Sequence, residues 1–236
     1  MDFIFAAVII LLASVVQGAT SFGFSLLALP LLGLFFELKI IVPTLIVFSL
    51  VLNLIILFKL RIKPHMKEIG LLVIFAVACI PIGVQLLILV NESTLKLFVS
   101  LLLIIISLIM ISGVKLNIKN KKCSYIIAGI LSGILNGAVS LSGPPVVVLL
   151  ANDDKNKDEF RSSLTFLFVI LNVVTIALYL KNGLFENPAL LKMGYLLPVM
   201  VIGTMLGIHL GNRIDDKKFK KVVLFLLLIM GIVNLF

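Results

Sequence analysis

Eight apolar stretches dominate the chain, running roughly from Phe3 to Phe36, Ile40 to Phe58, Ile69 to Val90, Leu95 to Gly113, Tyr125 to Ala151, Phe160 to Leu180, Met193 to Leu210 and Val222 to Phe236. Most approach the ~20 residues that a helix needs to cross hydrocarbon, so the pattern predicts membrane-spanning helices. The first and fifth stretches are too long for a single crossing. Each is interrupted by polar, glycine-bearing sequence, Gln17-Gly18-Ala19-Thr20-Ser21-Phe22-Gly23 in one and Asn136-Gly137-Ala138-Val139-Ser140-Leu141-Ser142-Gly143-Pro144-Pro145 in the other. Each reads as one broken helix or as a hairpin of two shorter ones.

Self-comparison shows that the two interruptions are related. Gln17-Gly18-Ala19-x-Ser21 matches Asn136-Gly137-Ala138-x-Ser140 at an offset of 119, and Val51-Leu52-Asn53-Leu54 matches Ile170-Leu171-Asn172-Val173 at the same offset. After a longer loop in the second copy the offset becomes 124, pairing Gly70 with Gly194, Gly83 with Gly207, Gln85 with His209 and Lys96 with Lys220. The chain therefore divides into two repeats, residues 1–118 and 119–236, with hairpins around 17–24 and 136–145.

Charge chooses between the readings of each long stretch. If each crosses once, the lysines and arginines divide equally between the two sides. If the stretch from Tyr125 to Ala151 enters and returns, loops 59–67, 114–122, 152–161 and 213–221 share one side with sixteen positive residues, against four opposite. Cytoplasmic loops carry the positive excess, so these four loops are expected in the cytoplasm, with both termini outside. Each repeat is then a broken-helix hairpin plus three transmembrane helices. That odd number of crossings makes the copies face opposite ways. The expected fold is an all-α multispan bundle of two inverted-topology repeats in the cell membrane, the plan of many secondary transporters.

Composition narrows the class further. With 61% apolar and 13% charged residues and a mean hydropathy of +1.28, the chain has too little polar surface for a water-soluble fold. The net charge of +9 belongs to the loops and not to a nucleic-acid interface. Cys79 and Cys123 suggest no bridge, and Met1-Asp2-Phe3 lacks the positive start of a cleaved leader, so the first span is expected to be retained.

The interruptions carry the candidate chemistry. Backbone that leaves helical geometry inside hydrocarbon survives only where protein or a water-filled cavity covers it. Pro144 and Pro145 suit the first turn of a helix and Ser142 is placed to cap it; Thr20 or Ser21 can do the same before Phe22-Gly23-Phe24. Each break thus presents a helix N-terminus, which favours an anion. The apolar middles of the spans hold no Asp, Glu, Lys or Arg, and Arg161 and Arg213 stand at span ends. A cation pump usually displays intramembrane carboxylates. The candidate substrate ligands are Gln17, Gly18, Thr20, Ser21, Asn136, Gly137, Ser140 and Ser142, with Asn53 and Asn172 as either interhelical hydrogen-bond partners or further contacts.

His209 is the one histidine in a span and a candidate for coupling, although its counterpart Gln85 cannot titrate. The ladders Gly129-Gly133-Gly137 and Gly203-Gly207-Gly211 read as helix-packing surfaces. Asp153, Asp154, Asp158 and Glu159, mixed with Lys155, Lys157 and Arg161, read as a solvated loop, and no metal or cofactor is assigned. The rival readings are a passive anion channel and an intramembrane serine protease using Ser142 and His209. The repeat opposes the protease, since those positions correspond to Gly23 and Gln85.

Together these residues resemble the sulfite exporter TauE/SafE family of membrane permeases. The resemblance rests on Gln17 through Phe24, on Asn136-Gly137 through Ser142-Gly143-Pro144-Pro145, and on the duplication, and it spans essentially the whole chain. It implies a permease for sulfite, organosulfonates or related sulfur-containing anions. The expected partners are a small anion and the lipid bilayer; a co-transported ion and a homodimer stay open.

Overall fold

In the computed structural model, the described residues are 2–60, 66–91, 93–95, 97, 98, 101, 105, 121–151, 156–187, 189–213 and 215. The spans expected from Leu95 to Gly113 and from Val222 to Phe236 lie largely or wholly outside them. Among the described residues the fold is all helical: α1 (Asp2–Thr20), α2 (Phe24–Leu32), α3 (Leu38–Leu60), α4 (Met66–Leu89), α5 (Lys121–Val139), α6 (Gly143–Ala151), α7 (Lys157–Lys181), α8 (Ala189–Gly194) and α9 (Leu197–Asn212). Five of these, α1, α3, α4, α5 and α7, are long and apolar enough to cross a membrane. Their outward faces are apolar too, with Leu12, Phe58, Ile74, Leu89, Ile127 and Leu180 exposed, as a bilayer and not water would require.

Helix limits in the two segments coincide at the sequence offset. Shifting α1 and α2 by 119 residues lands on the limits of α5 and α6, and α3 and α7 start at the same shift. Each long stretch is thus a 19-residue arm, about 28 Å long, followed by a nine-residue arm about half that length. The hairpins are lopsided.

One expected span is divided. The stretch from Met193 to Leu210 forms α8 and then α9, whose cap is Leu196 and whose first turn holds Pro198. Proline lacks the N–H that would continue the α8 ladder, so the helix restarts there. The equivalent position in α4 is Ile74, and α4 runs unbroken.

The long arms pack on helices of the opposite segment. α1 lies against α9 and α5 against α4, while α3 and α7 meet at the centre. A Cβ added to Gly203, Gly207 or Gly211 would strike the carbonyl of Leu11, Val15 or Ala19 respectively, so α1 and α9 run parallel in a constant register. Gly129, Gly133 and Gly137 meet the carbonyls of Leu72, Ala76 and Ile80 in the same way, making α5 parallel to α4. These are the glycine ladders of the sequence, and they serve backbone-to-backbone packing. One crossing recurs in both interfaces, Gly18 over Gly207 and Gly137 over Gly83.

Candidate functional site

The two breaks meet in the interior. Ser25 Oγ, at the start of α2, lies 3.2 Å from Ser140 Oγ in the second break. A Cβ on Gly143 would lie 3.9 Å from the Cβ of Phe22 in the first break. Both long arms end in the same unusual way, with a non-glycine residue in the left-handed region: Ser21 at φ 67° and Ser140 at φ 59°. That conformation turns the chain out of the helix and costs an L-residue on the order of 1 kcal/mol. Ser21 N donates to Gln17 O at 2.6 Å and Ser140 N to Asn136 O at 3.0 Å, so the backbone turns are equivalent.

Side-chain connections around the breaks differ. At the first, Gln17 Oε1 accepts from Phe24 N at 2.9 Å, and Gln17 Nε2 donates to Asn53 Oδ1 at 2.8 Å. Neither Thr20 nor Ser21 caps α2, contrary to expectation: Gly23, at φ 104°, occupies the cap without a side-chain bond, and Gln17 reaches forward from α1 instead. Thr20 Oγ1 lies 2.8 Å from both Val16 O and Phe22 O and is committed to local turns.

The asparagines join this network. Asn53 Nδ2 and Asn172 Nδ2 both donate to Ser49 Oγ, at 3.2 and 3.1 Å, linking α3 to α7. At the second break Asn136 Nδ2 donates to Thr175 Oγ1 at 2.8 Å. Asn136 Oδ1 is buried with no partner among the described residues. Thr175's hydroxyl can accept or donate, so a half-turn of the amide keeps that bond and offers an NH2 group in place of the bare oxygen. Ser142 O accepts from Ser132 Oγ at 2.5 Å, which ties the start of α6 back onto α5.

Arg161 departs most from the sequence reading. Placed by pattern at a span end within a solvated loop, it is fully buried. Its Nε donates to Ser21 Oγ at 3.3 Å, one terminal nitrogen to Gly18 O at 2.9 Å and the other to Asn212 Oδ1 at 3.2 Å. α7 begins at Lys157, a turn earlier than the apolar stretch, and this extra turn carries Arg161 into the bundle. At the other end of α7, Tyr179 donates its hydroxyl to Gly137 O at 2.7 Å. Gly18 and Gly137 are equivalent by the repeat, so α7 serves the end of each long arm.

Of the sequence candidates, Gln17, Asn53, Asn136, Asn172, Ser21, Ser140, Thr20 and Ser142 are buried around the two breaks, while Gly18 and Gly137 sit at the helix crossings. His209 is exposed on α9, as is its counterpart Gln85 on α4, whereas Ser142 is buried. No hydrogen bond joins Ser142 to His209 among the described residues, so the structure supplies no nucleophile and base pair there. Ser25, Ser49, Arg161, Thr175 and Tyr179 were not among the candidates. Serines and threonines in apolar helices commonly bond their own backbone, which hides them from pattern reading.

The model of the family described as Sulfite exporter TauE/SafE matches residues 6–234. A curated protein of Cupriavidus necator, named "Probable sulfite/organosulfonate exporter TauE", is 25% identical over 84 residues, 36% of this chain. The chain spans a third of that relative's length in the match, 33%. No solved structure matches.

Proposed function

The chain belongs to the sulfite exporter TauE/SafE family, and from that premise we propose that it is a secondary transporter for a small sulfur oxyanion, sulfite or an organosulfonate. In this reading the two segments are inverted copies and the anion binds where their breaks meet. Alternating access moves the segments about that point. The observation that carries the reading is the 3.2 Å approach of Ser25 and Ser140, which brings the two interruptions together inside an integral membrane protein.

The physical support is local. Fixed helix ends and neutral hydrogen-bond donors replace part of an oxyanion's hydration shell. Each contributes little, so binding stays weak enough for release, as carriage requires. Buried amides from four positions, Gln17, Asn53, Asn136 and Asn172, lie around the junction together with buried serine and threonine hydroxyls.

Counterflow of labelled sulfite in proteoliposomes tests the assignment. Saturable exchange that drops about tenfold in Asn136→Ala, with the variant still inserted and monodisperse, is the expected result. Flux that never saturates and follows voltage would make the protein a channel instead.

A further inference from the structure

The sequence shows no charge in the middle of any span, yet the structure buries one. Among the described residues Arg161 is the one charged side chain in the core. Its three hydrogen-bond partners, Ser21 Oγ, Gly18 O and Asn212 Oδ1, are all neutral. They occupy three of the guanidinium's five N–H groups, leaving two without a partner among the described residues. A buried charge is tolerated when something offsets it. Here the offset comes from the C-terminal ends of α1 and α9, where Gly18 and Asn212 lie and each helix carries about half a negative charge. The carboxylate of Asp158, one turn earlier on α7, adds electrostatic attraction but makes no hydrogen bond or ion pair with Arg161 among the described residues, so no bonded carboxylate has to be displaced before an anion can approach.

A second group points the same way. Thr165, one turn beyond Arg161 on α7, is fully buried, and its Oγ1 has no hydrogen-bond partner among the described residues. Residues four apart share a helix face. A buried hydroxyl left unmatched is destabilising, and a bound oxygen acceptor would recover that cost. The equivalent positions in the first segment are Val42 and Ile46, both buried and apolar. Among the described residues, the first break alone has a buried cation on it, with an unmatched hydroxyl one turn further along the same helix.

We propose that Arg161 and Thr165 form the charged subsite that grips the oxyanion beside Ser21, so that one anion is held on the first-break side in each cycle. This rests on the transport reading above and deepens it. The guanidinium contributes the charge and two N–H donors, Thr165 contributes one O–H donor, and a pyramidal SO3 group offers three oxygens to meet them. The rest of the substrate faces the second break, which is neutral and tolerant of different substituents.

The test uses the full chain as wild type, Arg161→Lys, Arg161→Gln and Thr165→Val. Thermal unfolding is followed with added sulfite, sulfoacetate or chloride, alongside sulfite counterflow in proteoliposomes. The subsite predicts anion-dependent stabilisation of the wild type, apparent affinity weakened at least ~10-fold in Arg161→Gln and a few-fold in Thr165→Val, and partial recovery in Arg161→Lys. An Arg161 that merely caps α1 and α9 would lower the unfolding temperature without anion yet leave the anion-induced shift intact in Arg161→Lys and Thr165→Val; that overturns the subsite. Counterflow unaffected by Thr165→Val and Arg161→Lys would leave transport standing and remove these residues from it. Stabilisation by chloride alone, abolished in Arg161→Gln, would keep the subsite and overturn the sulfur-anion assignment.

Discussion

The two breaks share a backbone and differ in what holds it. At the first, a charged side chain from α7 and a glutamine from α1 tie down the turn at Ser21. At the second, a neutral phenol reaches Gly137 O and an amide reaches a threonine. The same left-handed serine closes both arms. Equivalent geometry thus arises from unlike chemistry, which means that the shape of each turn is dictated by the helix crossing beneath it and the side chains are free to specialise. Arg161 and Gln17 give the first break charge and rigidity. The second keeps an unmatched amide oxygen.

The largest expected effect falls on what the breaks have in common. Gly207→Leu and Gly83→Leu each drive a side chain into a carbonyl of the parallel neighbour, and each should cost about 4 kcal/mol or more, seen as loss of monodisperse protein on size exclusion. Gly194→Ala, with nothing within 4 Å of its added methyl, should be silent in the same assay. A large difference between the two leucine variants would show that the crossings are not equivalent.

Next come the amides that distinguish the breaks. Gln17→Leu removes the partner of both Phe24 N and Asn53 Oδ1, and should destabilise by about 2–3 kcal/mol in thermal unfolding. Asn136→Leu breaks one bond and also removes an unmatched oxygen, so its cost should be nearer ~1 kcal/mol. Tyr179→Phe deletes a single hydroxyl bond to Gly137 O, again about 1 kcal/mol, with transport kinetics retained. The smallest effect sharpens the contrast most. Ser140→Gly relieves the left-handed strain but gives up the contact with Ser25 and should come out near zero, whereas Ser21→Gly gives up the charged contact with Arg161 and should destabilise by up to ~1 kcal/mol.

Much of the architecture was readable before any coordinates. The breaks showed themselves because polar residues and glycine are costly inside an apolar run of that length, and the offset of 119 tied Gln17 to Asn136. The glycine ladders followed from a spacing of four on one helix face. Arg161 was missed because hydropathy averages over a window, and a charge at the edge of an apolar stretch looks the same whether it turns outward or inward. Its offset by two helix ends 140 and 50 or so residues away along the chain is a tertiary fact. The cap on α2 escaped for a related reason: Gln17 lies seven residues before Phe24, beyond the reach of local capping rules, and only the fold of the hairpin brings it back. Pro198 marks the restart of α9, yet Pro43 and Pro81 lie within unbroken α3 and α4, so proline alone does not announce a division.

The parallel register of α1 on α9 bears on how the molecule is made. Leu11 and the residue it abuts, Gly203, are separated by about 190 positions, so at roughly 5–20 residues per second α1 waits about 10–40 seconds for its mate. During that interval its packing face must be shielded by lipid or by the insertion machinery. Severing the gene between the two segments should therefore yield a pair of fragments that are unstable apart and recover on co-expression, each lending the other a missing stave.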